Sequence, residues 1–273
     1  MAEPMGFYTD TTVCIGCKAC EVACKEWNQL PAAEGGALEM SGDSYDNTRR
    51  LDGIHWRHVK FIEQFDEDRT EGRWLMMSDV CKHCVQAPCL EVCPTGAIIR
   101  TEFDTVVIQS DTCNGCRMCI SACPFGVIDI NPVSDTAQKC TLCYDRLQAG
   151  LEPACSKACP TDSIQFGTIR ELKERADARV KQLHALGESR ARLYGADEEF
   201  LGGLNSFYLL VDEPEVYGLP KRPAMPTRNL LSSSIFSMAG AVVVGLLAAV
   251  GLRQRRMDGR DGRDGDEGGD AGV

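Results

Sequence analysis

Between Leu230 and Leu252 the chain reads LLSSSIFSMAGAVVVGLLAAVGL, 23 residues without a charge. About 20 apolar residues cross a bilayer as a helix, so this run predicts one membrane span with some tilt. Its length separates it from a buried core helix, as does the polar stop Arg253-Gln254-Arg255-Arg256. Upstream, a helical period appears from Thr168 to Leu186, where Leu172, Ala176, Val180 and Leu183 share one face. Thr168 and Glu171 fit a capping box, and Gly187 marks the end. Ile98–Thr101 and Thr105–Gln109 read as a small hairpin turning at Glu102-Phe103-Asp104. The run from Ile54 to Phe65 predicts partial strand, and Ala33 to Asn47 is polar and glycine-bearing. After Gly187, a stretch containing Tyr194-Gly195 and Tyr217-Gly218-Leu219-Pro220 reads as coil leading to the span.

The 273 residues suit one or two domains, and 44% hydrophobic content suits a folded chain. A formal charge of −11 without a basic stripe excludes a nucleic-acid surface. The opening MAEPMGFYTDTTVCIGC has no basic segment followed by an apolar one, so no cleavable signal peptide is expected. Arg253, Arg255 and Arg256 follow the span, while Lys221, Arg222 and Arg228 precede it and blunt the bias. The positive-inside rule then places the C-terminus in the cytoplasm and the rest on the outer side.

Sixteen cysteines change the picture. They fall into four groups: Cys14, Cys17, Cys20, Cys24; Cys81, Cys84, Cys89, Cys93; Cys113, Cys116, Cys119, Cys123; and Cys140, Cys143, Cys155, Cys159. The last three groups run into Pro94, Pro124 and Pro160. Each proline turns the chain from its cysteine toward a short apolar run. The spacing C-x2-C-x2-C-x3-C-P is the bacterial ferredoxin run, whose fourth thiolate serves the partner cluster. Four thiolates per cubane predict four [4Fe–4S] clusters. A disulfide framework belongs to chains under about 100 residues, and structural zinc takes well-separated pairs often completed by histidine. This chain has only four histidines. His55, His58, Trp56 and Trp74 read as packing or surface residues. His83, between Cys81 and Cys84, reads as a solvent-facing loop residue, with hydrogen bonding toward a cluster as the alternative.

The segments TTVCIGCKACEVACKEWN, WLMMSDVCKHCVQAPCLEVCPTGAI, DTCNGCRMCISACPFGV, KCTLCYDRLQAGLEPACSKACPT and NSFYLLVDEPEVYGLP, with the terminal span, resemble the iron–sulfur (beta) subunit of membrane-bound formate dehydrogenase. The cysteine motifs alone are shared by four-cluster subunits of molybdopterin oxidoreductases and hydrogenases. An electron-transfer subunit of a hydrogenase or of another molybdopterin oxidoreductase is therefore the alternative.

The resemblance implies an α+β fold of two ferredoxin-like modules, each holding two [4Fe–4S] clusters, with an insertion and one C-terminal transmembrane helix. Residues 1–24 with 140–167 would form one module, 25–80 the insertion and 81–139 the second module. A helix and extended linker (168–229), the span (230–252) and an acidic disordered tail (253–273) would follow. It also implies the ligand sets. Cys14, Cys17 and Cys20 would be completed by Cys159, and Cys24 would join Cys140, Cys143 and Cys155. Cys81, Cys84 and Cys89 would take Cys123, and Cys93 would join Cys113, Cys116 and Cys119. Lys25 stands where the other motifs have proline, which loosens that turn without changing the ligand count. The implied role has no catalytic residue. Electrons from formate oxidation at a molybdopterin (molybdenum or tungsten) catalytic subunit would pass to a haem b membrane subunit that reduces quinone. A partner's twin-arginine signal would carry the folded chain across the membrane.

Overall fold

The computed structural model describes residues 3–32, 42, 44–68, 70–226 and 230–261, the last stretch with side chains for 234–255. The chain divides into two units, Met1–Met225 and Pro226–Val273.

The first unit runs β1 (Met5–Asp10), α1 (Ala19–Trp27), β2 (Arg57–Phe65), β3 (Gly72–Val80), α2 (Pro88–Glu91), β4 (Ile98–Arg100) and β5 (Val106–Ile108). It continues with α3 (Met118–Ala122), β6 (Asp129–Ile130), β7 (Ala137–Gln138), α4 (Tyr144–Gln148) and α5 (Ala154–Lys157). β8 (Ile164–Thr168), α6 (Ile169–Ala185), β9 (Arg192–Tyr194) and β10 (Ser206–Leu210) complete it.

One four-stranded sheet, in the order β8-β1-β10-β9, gathers both ends of this unit. β1 pairs antiparallel with β8 (Phe7 opposite Phe166) and parallel with β10 (Phe7 opposite Ser206). The two central strands are buried on both faces, and the rings of Tyr8 and Phe207 stack at 5.5 Å. Such strands read as short apolar runs without alternation, which periodicity alone does not identify. For that reason Ser206–Leu210, expected as coil, is a central strand, and Arg192–Tyr194 an edge strand. Gly6 permits the junction. A Cβ there would lie 1.9 Å from the Asn205 carbonyl oxygen, which accepts the Phe7 N–H at 2.8 Å.

Helix α6 packs on this sheet. Thr168 caps it by accepting the Glu171 N–H at 3.3 Å. Leu172, Ala176 and Leu183 are buried and Val180 is partly buried, while Gly187 ends the helix at φ +93°. The other strands form three antiparallel hairpins, β2–β3, β4–β5 and β6–β7. β4–β5 is the hairpin expected around Glu102-Phe103-Asp104. β2–β3 is long, and its β2 end plugs Arg57, His58 and Val59 into the interior. The Glu21 carboxylate on α1 accepts the Val59 N–H and holds the hairpin to that helix. Most of the polar stretch Ala33–Asn47 lies outside the described residues.

In the second unit, α7 spans Leu230–Asp261. Its segment Ser234–Arg255 has 22 residues, a mean hydropathy of 2.4 and exposed side chains throughout. It is long and apolar enough to cross a membrane. The helix passes the expected end at Leu252 because Arg and Gln are good helix formers that prolong it once begun. Residues 262–273 of the expected tail lie outside the described residues.

Candidate metal centres

All four cysteine motifs share one backbone feature. The residue before the second cysteine has positive φ in each: Gly16 (65°), His83 (44°), Gly115 (68°) and Leu142 (58°). A left-handed residue in such a turn swings successive N–H groups to the concave side and makes an anion-binding nest. In the fourth motif one such donor is visible, since the Leu142 N–H reaches Cys140 Sγ at 3.3 Å. Glycine accepts this geometry freely, whereas His83 and Leu142 accept it at roughly 1–2 kcal/mol each. Lys18 (60°) and Arg117 (65°) then repeat the left-handed turn and open α1 and α3.

The third cysteine of each motif lies in a short helix: Cys20 in α1, Cys89 in α2, Cys119 in α3 and Cys155 in α5. The fourth follows four residues later, past the end of the helix in every motif but the first. Proline after Cys93, Cys123 and Cys159 stops the helix, and Gly96, Gly126 and Asp162 turn the chain at positive φ. Cys24 has Lys25 instead. The consequence is a longer helix rather than a looser turn, because α1 continues to Trp27.

Twelve of the sixteen thiols line three cavities, four to each. One cavity is lined by Cys14, Cys17, Cys20 and Cys159 (site one). Another is lined by Cys81, Cys84, Cys89 and Cys123 (site three), and a further one by Cys93, Cys113, Cys116 and Cys119 (site four). Burial pushes the Cys24 thiol up, and Cys140, Cys155 and Cys143 lie near it; these four are called site two. All sixteen are free of disulfides. Among the described residues no three Cys, His, Asp or Glu side chains converge as a single-ion site requires. Thiols that ring a void fit a cubane core, not one tetrahedral zinc.

The sites follow one another in a file. Cys20 of site one neighbours Cys155 of site two, Cys140 of site two neighbours Cys81 of site three, and Cys89 of site three neighbours Cys119 of site four. Cys17 and Cys116, in the first and last sites, are exposed, whereas the four cysteines of site two are all buried. Burial sets the thiol chemistry. Desolvation pushes Cys20 and Cys89 up to about 12, and Cys119 and Cys143 up to about 11. These thiols hold their protons until a metal displaces them, which couples loading to proton release.

Sequence reasoning missed the cations between the sites. Arg57, Lys82 and Lys139 are each 1–2% exposed. Lys139 sits beside Cys81, Cys89 and Cys140, between sites two and three, and donates to the Cys140 carbonyl at 3.1 Å. Lys82 forms a buried ion pair with Asp79. The position of Lys139 next to Cys140 was a signal in hand, but nothing local to Arg57 marks it. His83 requires a correction. It is 1% exposed rather than solvent-facing, because the β4–β5 hairpin closes over it. Its Nδ1 accepts the Val106 N–H at 3.1 Å, which assigns the proton to Nε2. Burial, with Lys139, Arg100, Arg57 and Lys82 nearby, keeps the ring neutral. Nε2 is buried without a protein partner, as are Nε and Nη2 of Arg57, among the described residues. Buried donors without acceptors are costly, and sulfur acceptors in adjacent sites fit them. His55 bonds Asp52 at 3.0 Å and His58 bonds Asp46 at 3.3 Å, so both act in packing.

Known proteins agree with this chemistry. Matches to a 4Fe-4S dicluster domain cover residues 13–97 and 72–169. The chain is 42% identical over 243 residues to a formate dehydrogenase iron-sulfur subunit of Haemophilus influenzae, covering 88% of this chain and 76% of that one. It is 40% identical over 246 residues to the nitrate-inducible formate dehydrogenase iron-sulfur subunit of Escherichia coli, covering 88% and 81%. A thiosulfate reductase electron transfer subunit of Salmonella typhi is 37% identical over 183 residues, covering 67% and 85%. Two dicluster matches and sixteen cysteines support four [4Fe–4S] clusters. The chain belongs to the family of formate dehydrogenase iron–sulfur subunits and has their electron-transfer role.

Proposed function

We propose that the four thiol sets above each hold one [4Fe–4S] cluster and that the chain relays electrons from a formate-oxidising molybdopterin subunit to a haem b membrane subunit. When bound, such clusters take up and release single electrons without bond chemistry. This chain's residues do the rest. The thiolates set the order of the sites, the left-handed turns aim backbone N–H groups inward, and burial of site two excludes water. Exposed Cys17 and Cys116 mark the two ends at which partner subunits dock. The observation that carries the reading is the file of four cysteine sites, exposed at its first and last members.

The formate reading over its alternatives rests on coverage. Formate dehydrogenase relatives match 88% of this chain, against 67% for the thiosulfate reductase subunit. The apolar segment of α7 anchors the subunit as a single span, with the C-terminus in the cytoplasm and the cysteine sites on the outer side. Iron analysis and reduced-state electron paramagnetic resonance test the cluster assignment. About sixteen irons and four reducible centres are expected, and fewer than about twelve irons overturns it. The catalytic subunit that co-purifies tests the partner, and a hydrogenase large subunit in that place overturns the formate reading. Protease cleavage of the cysteine-bearing unit on intact cells tests the side.

A further inference from the structure

Arg57 enters the interior at the first residue of β2 and is 2% exposed. A guanidinium stays charged in any protein environment. Buried charges are ordinarily matched by a carboxylate, yet among the described residues none lies within ion-pair distance of Arg57. Among the described residues its one side-chain hydrogen-bond partner is Ser78, whose Oγ accepts from Nη1 at 2.8 Å and lies 3.2 Å from Cys20 Sγ. The ring of Phe7 lies 4.8 Å from the guanidinium carbon. Nε and Nη2 have no partner among the described residues. The groups near it that turn negative when a metal displaces their protons are Cys155 and Cys140 of site two and Cys20 of site one.

We infer that Arg57 is the shared counter-ion of the first two clusters, donating through its free N–H groups to their sulfur atoms and raising both reduction potentials. A cubane with four thiolates carries a charge of −2 when oxidised and −3 after accepting one electron. The electron comes from the upstream subunit, or from dithionite in the test, and no bond or proton changes place. A cation held between two such centres stabilises each reduced state and screens the repulsion between them. Hydrogen bonds to sulfur act in the same direction. Lys139 stands in a comparable place between sites two and three, but its ammonium is already occupied by carbonyls. This inference rests on the four-cluster assignment above.

The test is a potentiometric titration of the full-length, cluster-loaded chain followed by electron paramagnetic resonance, with Arg57→Gln and Arg57→Lys beside the unaltered protein. Signals are assigned to sites one and two by Cys20→Ser and Cys24→Ser. In Arg57→Gln the reduced-to-oxidised ratio of both centres at a fixed potential should fall at least tenfold, about 59 mV for one electron. Sites three and four should not move, and Arg57→Lys should recover most of the shift. Four unmoved potentials in a loaded Arg57→Gln protein, or an equal shift in Arg57→Lys, overturns the inference. If Arg57→Gln does not load, pulsed resonance of the unaltered chain labelled with 15N-arginine decides. Nitrogen coupling on both centres that Arg57→Lys removes supports the role, and its absence overturns it. Iron content and the number of signals in the unaltered chain test the underlying cluster assignment separately.

Discussion

The indole N–H of Trp27 donates to the Asp145 carboxylate at 2.8 Å, joining the end of α1 to the start of α4 across 118 residues of sequence. Arg146 adds its guanidinium 4.2 Å from the Trp27 ring centre. Lys25 in place of proline is what lets α1 reach this contact. The clamp ties the helix that carries Cys24 to the helix that starts just after Cys143, both cysteines of site two.

Replacing Trp27 by Ala should therefore shorten the lifetime of the second centre more than that of the others. A hydrogen bond to a charged group contributes about 1.5–3 kcal/mol and an exposed cation–π contact about 0.5–1 kcal/mol. The half-life of each reduced-state signal on exposure to chelator checks this. Equal loss of all four signals would sink the assignment of the clamp to site two.

Two cysteines on one helix have different neighbours, since Cys20 lines site one and Cys24 lies near Cys140, Cys143 and Cys155. Cys24→Ser should perturb the second centre and leave the first, whereas Cys20→Ser should do the reverse. Resonance spectra of the two variants separate these outcomes, and loss of only the first centre in Cys24→Ser refutes the pairing.

Asp79 and Lys82 form an ion pair with side-chain exposures of 6% and 0%. Lys60 adds a contact to Asp79 at 3.1 Å, and the Tyr208 hydroxyl another at 3.4 Å. Burial alone would raise this carboxyl, but Lys82, Lys60 and His58 hold it well below the usual range. Asp79→Asn leaves Lys82 buried without its counter-charge, at a cost of about 3–5 kcal/mol. We expect low yield of loaded protein and a lower unfolding midpoint. Asp79→Asn combined with Lys82→Met should recover part of the loss, as removing both charges is the milder change.

Deleting the chain from Leu230 onward removes the 22-residue apolar segment and leaves the first unit intact. The truncated subunit should appear in the soluble fraction with wild-type iron content. Retention on membranes in a strain lacking partner subunits would count against an anchor.

How much of this was legible in advance varied with the range of the interaction. Helix α6 was readable because Thr168, the spaced Leu172, Ala176 and Leu183, and Gly187 are all local signals. The β4–β5 hairpin was readable for the same reason. β10 was not, since SFYLL is a strand only when β1 lies beside it. His83 shows the same limit at the site. Its loop position suggested solvent, and the Val106 N–H that its ring accepts lies 23 residues on.

The sequence by itself determined the donors: sixteen cysteines at spacings that put three thiols on one turn, the prolines that end three of the helices, and one charge-free run of 23 residues. These are properties of neighbours along the chain, where backbone geometry leaves few options. The tertiary structure decided which fourth thiol faces which void, and which cations lie between the voids. Cys14 meets Cys159 because β1 pairs with β8, and Arg57 reaches Cys20 and Cys155 because a hairpin from the intervening segment carries it there. Burial that brings residues a hundred apart into contact leaves no period in the sequence, so these placements are visible only in the folded chain.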